Sequence, residues 1–402
     1  MNHHQEPLIG LATLMRMAYS GVDLGPLATK LVARAERDPD DANAMMDLST
    51  VLQLRGNREI ALATQFEALK TQQIYSPPTA TGEAKLKVLA IMAPGDLMSN
   101  TPLEFLLEAS DVALDILYVG PGLPFPAALP DHDVLFIAVG ESDQTLPLLK
   151  ELESVTAFWP RPVLNQPERI ARMSRDAAYA LLKSTPGVAM PVTLRIDRPM
   201  LQSIGEGSVD ISSMLEDGAF PVIVRPVDSH AGQGLDKLDD TLAIAAYLLT
   251  MPQEEFYISR FIDYRAPDGL FRKYRIVLID GRPFLCHLAI SQHWMIHYLN
   301  AGMAENAEKR AEEARCMASF DTDFAQRHAA ALRAIHERTG LDYLGIDCGE
   351  SPDGKLLIFE VDSNMIVHAI DPVDVFPYKQ PQMQKVFAAF RALLIDAAHG
   401  RP

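Results

Sequence analysis

The chain has 402 residues, 48% hydrophobic and 22% charged, the balance of a globular protein with a sizeable core rather than a disordered one. A net charge of -17 sets up a long-range field that repels phosphate backbones, so a nucleic-acid partner is not expected, although a locally basic pocket remains open. The three separated cysteines (Cys286, Cys316, Cys348) form no disulfide or metal-ligand pattern, and no stretch has the roughly 18 apolar residues of a membrane span or the pattern of a signal peptide; a cytoplasmic protein with no membrane partner is expected.

Residues 8–75 read as successive helices. Asp38-Pro39-Asp40-Asp41 supplies a helix start, and Ala42, Met45, Met46, Leu48, Leu52 and Leu54 then recur at helical spacing. Gly56-Asn57 interrupts, and Ala61, Leu62, Ala63, Phe66 and Leu69 resume the pattern. This helix pair resembles one tetratricopeptide repeat, a unit of about 34 residues, and fits an ordinary helical hairpin equally well. A single repeat cannot bury its own apolar face, so residues 1–76 are expected to pack on the rest of the chain, on a protein or peptide partner, or on a second copy in a homodimer.

Residues 77–85 have the composition of a linker, and the texture then changes. Short apolar strands at 86–93, 113–119 and 133–139, with a last one at 163–165, alternate with helical stretches at 102–109 and 144–152. That alternation predicts a small parallel sheet over 86–165. A helix is expected over 167–183, then strands at 220–225, 256–262, 274–279 and 283–290, a helix at 323–339 and a hairpin at 343–361. The fold class is therefore α/β, with two α+β lobes at 166–258 and 259–402.

The sharpest chemistry lies in that hairpin. Leu344-Gly345-Ile346-Asp347-Cys348-Gly349-Glu350 is followed by an Asp353-Gly354 turn and by Leu356-Leu357-Ile358-Phe359-Glu360-Val361-Asp362-Ser363-Asn364. Asp347 and Glu360 fall on paired strands, and Glu360 and Asp362 share a face by their period-two spacing. Three carboxylates on one face repel unless a cation neutralises them, and hard oxygen donors suit magnesium, with manganese as an alternative.

Here the chain resembles the ATP-grasp superfamily, in particular the branch of glutathione synthetase and of the ligase that adds glutamates to a ribosomal protein. The resemblance runs over 86–397. It implies metal ligands at Asp347 and Glu360, with Asp362 in the family's Asn position and Asn364 two residues on. Arg225, in Pro221-Val222-Ile223-Val224-Arg225-Pro226, takes the place of a lysine that binds ATP phosphates, and an arginine keeps the cation. His230-Ala231-Gly232-Gln233-Gly234 is similar to the phosphate-covering glycine loop, which implies roles for His230, Gly232 and Gly234. Ser259-Arg260-Phe261-Ile262 matches the hinge whose backbone reads adenine. Lys273-Tyr274-Arg275 stands where the family has Asp-x-Arg, so Arg275 matches and Lys273 departs. Arg175, near the start of the long helix, is a candidate phosphate contact, and His293 and His297, in an aromatic-rich stretch, are candidate substrate-binding or catalytic groups.

What the resemblance implies is an ATP-grasp fold: a small parallel-sheet domain plus two α+β lobes, preceded here by the all-helical segment. The implied activity is an ADP-forming ligase that activates an unknown carboxylate as an acylphosphate and joins it to an amine or another nucleophile. A nucleotide-binding adaptor that recruits a protein through its helices, and a small-molecule kinase, are the alternatives.

Overall fold

The computed structural model describes residues 6–215, 218–229 and 232–400. The chain divides into two units, Met1–Ala171 with Leu341–Leu344 and Ser363–Pro402 in the first, and Arg172–Gly340 with Gly345–Asp362 in the second.

The first unit opens with α1 (Leu11–Tyr19), α2 (Gly25–Arg37), α3 (Ala42–Leu54) and α4 (Arg58–Thr71). Asp41 starts α3 as the sequence indicates: its carboxylate accepts the Ala44 N–H at 2.9 Å and also holds the buried Arg34 guanidinium at 2.9 Å. Ser49 on α3 donates to the Ala61 carbonyl of α4 at 2.8 Å, which fixes the hairpin. The chain continues through β1 (Ile74–Tyr75), β2 (Leu86–Met92), α5 (Leu103–Leu107), β3 (Val112–Tyr118), β4 (Val134–Ile137), α6 (Leu146–Thr156), β5 (Val163–Leu164) and α7 (Pro167–Ile170). The sheet order is β1-β3-β2-β4-β5, with β2 to β5 parallel and β1 antiparallel at the edge. The apolar face of the helices is covered by the chain itself: Leu8, Ala42, Met46, Ala68 and Leu69 form one core with Tyr75 and Leu123. Residues 77–85 run against the sheet edge, where Thr79 donates to the Val112 carbonyl at 2.9 Å and Ala80 bridges Ser110.

The second unit begins with α8 (Arg175–Leu182), β6 (Val188–Ala189), β7 (Thr193–Asp197), α9 (Arg198–Gly205), β8 (Val222–Pro226), β9 (Asp236–Leu238), α10 (Thr241–Thr250) and β10 (Glu255–Arg260). It goes on through β11 (Phe271–Ile279), β12 (Arg282–Ser291), α11 (Ala307–Ser319), α12 (Phe324–Arg327), α13 (Ala329–Thr339), β13 (Tyr343–Glu350) and β14 (Leu356–Asp362); β13 takes its first two residues from the first unit. An antiparallel sheet of order β7-β10-β8-β9 packs its apolar side on α9 and α10 through Ile196, Leu201, Ile204, Val224, Ile244, Tyr247 and Phe256. A second sheet has the order β12-β11-β13-β14-β6. The chain then returns to the first unit as α14 (Lys379–His399), whose Phe390 ring meets those of Phe136 and Tyr343 at 5.7 and 5.5 Å.

The fold class is α/β, with a mostly parallel sheet in the first unit and two further sheets in the second. Two predicted helices are broken. The helix expected over 167–183 is interrupted between Ile170 and Arg175: α7 ends at Ile170, and Ser174, extended at φ -56° and ψ 151° with its hydroxyl donating to Asp176 at 2.9 Å, precedes the start of α8. The helix expected over 323–339 divides at His328, whose buried ring bonds Glu350 at 2.8 Å; a tertiary bond outweighs local propensity there. The elements β1, β6, β7, α9, β9, α10 and α14 add to the predicted set, although Met383, Val386, Phe390, Leu393 and Leu394 carry a helical stripe. Among the described residues no helix is long and apolar enough to cross a membrane.

Candidate active site

The side chains with the most chemistry in the second unit meet across β8, β11, β13 and β14. On the β13–β14 hairpin Asp347 pairs with Glu360, and Gly345 with Asp362. A register shift follows between Asp347 and Cys348, and a shift of this kind re-aims neighbouring side chains. Next to β13, β11 carries Lys273 and Arg275 two residues apart, so both project from one face.

Asp347 is 3% exposed and both of its oxygens are engaged. Arg275 grips it in a fork, Nε to Oδ1 at 2.8 Å and an Nη to Oδ2 at 2.9 Å, and Lys273 Nζ reaches Oδ2 at 2.9 Å. Burial alone would raise the Asp347 pKa, but Arg275 and Lys273 hold it well below the usual carboxylate range. Arg275 responds in kind: burial works against its charge, yet Asp347 keeps its pKa above normal.

Glu360 has a second set of partners. Arg175, at the start of α8, pairs with its carboxylate and donates to the Phe359 carbonyl at 3.3 Å. Burial pushes the Glu360 pKa up, and the nearby Arg175 and Arg225 more than offset this, so it lies below normal. Arg225 on β8 is buried, with Nε on the Ser229 hydroxyl at 3.1 Å and a second bond to the Ser229 carbonyl. Burial, and then repulsion from Arg175, push its pKa down to about 9. Four cations thus converge on two interior acids, and the balance leaves a site suited to a multiply charged anion.

The flanking segments have their own local geometry. Gly232 and Gly234 both have positive φ, 76° and 66°. A Cβ on Gly234 would stand 2.8 Å from the Pro226 ring, and the Tyr247 hydroxyl donates to its carbonyl at 2.6 Å, so position 234 needs glycine. His230 lies outside the described residues. Ser259 and Arg260 pair with Ile223 and Val222, and the Phe261 N–H donates to the Pro221 carbonyl at 3.0 Å. The Phe261 ring lies edge-on to Trp294 at 5.7 Å with Lys237 Nζ 5.1 Å over it, and Ile262 is half-buried beside it. His297 is half-buried; burial first, and then Lys273 and Arg275, lower its pKa, which keeps the ring neutral. His293 is exposed, its N–H on the Ser291 hydroxyl at 3.0 Å, and among the described residues it makes no ion pair with the cluster.

Asp362 closes β14 in the second unit, whereas Asn364 belongs to the first. The buried Asn364 donates its amide to the Met98 carbonyl and lies against Gly140. A divalent cation needs carboxylate oxygens at about 2.0–2.1 Å in near-octahedral array. Here Arg275 and Lys273 use both Asp347 oxygens and Arg175 holds Glu360, and among the described residues no group of three or more His, Cys, Asp or Glu is arranged to hold a metal. In this arrangement the donor set does not fit a metal ion. Lys273, which in the sequence stands only as a departure from the family pattern, joins Arg275 on Asp347; the period-two spacing of the two residues on one strand is the signal for that pairing.

No family model and no curated protein matches the chain. Among solved structures it is similar to the VanG D-Ala:D-Ser ligase from Enterococcus faecalis, with 13% identity, a TM-score of 0.46, and 78% of this chain and 100% of that chain covered. It is also similar to D-alanine–D-alanine ligase from Bacillus anthracis complexed with ATP, at 12% identity and a TM-score of 0.44 over 78% of this chain and 97% of that one. A third likeness is to a RimK domain protein ATP-grasp from Sphaerobacter thermophilus, at 16% identity and a TM-score of 0.44 over 78% and 100%. At these identities and scores the case for function rests on the residues themselves.

Proposed function

We propose that this protein is an ATP-dependent ligase of the ATP-grasp type, which activates a carboxylate as an acylphosphate and joins it to an amine. The observation that carries the reading is the cluster itself: Arg175, Arg225, Lys273 and Arg275 gathered around Asp347 and Glu360, next to a glycine loop and a half-buried hinge. Phosphoryl transfer asks the protein mainly for positioning and for neutralisation of charge, and fixed cations in a partly dry site supply both.

In the first step a carboxylate oxygen of the substrate attacks the γ-phosphorus and ADP leaves. In the second an amine nitrogen attacks the acyl carbon, the bond to phosphate breaks, and the nitrogen gives up a proton. Arg225 and Arg175 are assigned to the polyphosphate, and Arg275, held rigid by Asp347, to the transferring group. His297, kept neutral by its surroundings, is assigned to receive the proton from the amine. The glycine loop, Gly232 to Gly234, is assigned to cover the phosphates, and the backbone of Ser259 to Ile262 to the adenine.

Incubation of the purified chain with ATP and a panel of carboxylates and amines, followed by mass spectrometry and ADP assay, tests the reading. An amide formed with stoichiometric ADP and phosphate is the expected product. Arg225→Ala and Arg275→Ala are each expected to lower the rate on the order of 10²-fold, the scale for losing one fixed charge donor. A phosphorylated alcohol would replace the ligase with a kinase. ATP binding without turnover across the panel would leave a nucleotide-binding adaptor.

A further inference from the structure

We infer that Lys273 takes the part of a divalent cation in this site, so that the polyphosphate is held by protein cations and its binding does not require a metal ion. The inference rests on the nucleotide reading above and adds a claim about what neutralises the phosphates. Three observations carry it. Asp347, the most buried acid of the cluster, has both oxygens within 2.8–2.9 Å of fixed cations, so a metal that took either oxygen would displace a bond from Arg275 or Lys273. The side chain of Lys273 is only 14% exposed, so a displaced ammonium has little water to turn to and would face the incoming metal as a like charge. The other acid, Glu360, is held by Arg175 within the field of Arg225, so the cations outnumber the acids before any metal arrives.

An ammonium carries three donors, and the Asp347 bond uses one of them. An ammonium fixed by a carboxylate is a point charge that can donate to phosphate oxygens where a small metal ion would coordinate them, although it cannot act as a Lewis acid. Its anchoring carboxylate sets its position without cancelling the surplus that Arg175 and Arg225 provide.

The test is equilibrium binding of ATP to the full chain by calorimetry, in excess Mg2+ and in EDTA. For the natural sequence the two dissociation constants are expected to agree within about threefold. Lys273→Met is expected to bind on the order of tenfold or more weakly in EDTA and to regain affinity when Mg2+ is added, and Lys273→Arg is expected to stay indifferent to the metal. Natural protein that binds ATP only with Mg2+ overturns the inference and leaves the nucleotide reading standing. So does unchanged binding of Lys273→Met in EDTA. Failure to bind ATP under either condition overturns the nucleotide reading itself, and this inference with it.

Discussion

Asp347 is gripped by Arg275 and Lys273, and its removal acts on both cations at once. The Asp347→Asn variant keeps the shape of the side chain and leaves two poorly solvated cations without their counter-charge. Breaking a buried pair in this way costs about 3–5 kcal/mol, so the urea midpoint of the variant is expected to fall clearly at neutral pH. Loss of ADP formation in that variant has to be read beside its stability. The same residue sets an acid limit. Its folded pKa lies below the unfolded value near 3.9, so its contribution is complete above that value and is lost as pH falls through the lower folded one. Unfolding curves below about pH 4 are expected to show this loss in the natural protein and not in Asp347→Asn.

At the scale of elements, the start of α1 is held by two interior acids from different parts of the first unit. Asp47 on α3 accepts the Ile9 and Gly10 N–H groups at 2.8 and 3.1 Å, and Glu104 on α5 accepts that of Ala12 at 3.0 Å. These bonds satisfy amides that the first turn of a helix leaves open. Burial dominates the acids' own ionisation, raising Asp47 to about 6 and Glu104 to about 7. Folded Glu104 therefore binds its proton more tightly than the unfolded chain does: its contribution is full below about 4.5 and is lost as pH rises through about 7. A shift of this size is worth about 3 kcal/mol. Glu104→Gln keeps an acceptor for Ala12 and is expected to be more stable than the natural protein at pH 8 by about that amount, and close to it at pH 5. Denaturant midpoints at the two pH values check the sign; an equal effect at both would show that the group does not titrate in this window.

At the scale of the molecule, the helices 1–76 are part of the first unit and not a detached module. They supply the edge strand β1 and most of the core around Tyr75 and Leu123, and Ala12 and Met15 pack with Phe105 and Ile370. A chain beginning at residue 77 would expose those faces to water. At about 25 cal/mol per Å2 of apolar surface, losses of this kind exceed the few kcal/mol by which most domains are stable. The truncated chain is expected to fail to fold its first unit, seen as insoluble expression or loss of dispersed amide signals. A soluble, cooperatively unfolding truncation would mean instead that the helices are an independent repeat module.

What the sequence determined by itself was periodic or local. Alternating apolar strands, the Asp41 start of α3, the Asp353-Gly354 turn and the Asp347/Glu360 hairpin all follow from rules that reach only a few residues. What only the tertiary structure decided depends on which distant groups are brought together. Three acids on one face call for a cation, and nothing in their own spacing says that this cation is Arg275, Lys273 or Arg175, which arrive from 72, 74 and 185 residues away. Nor does spacing say that Asn364 joins the first unit while Asp362 stays in the second, or that the α3–α4 pair is covered by α1 and α2 on one side and by Tyr75 and Leu123 on another. Electrostatic neutralisation and the covering of apolar faces are non-directional demands, and a sequence can state such a demand without saying which part of the fold will meet it.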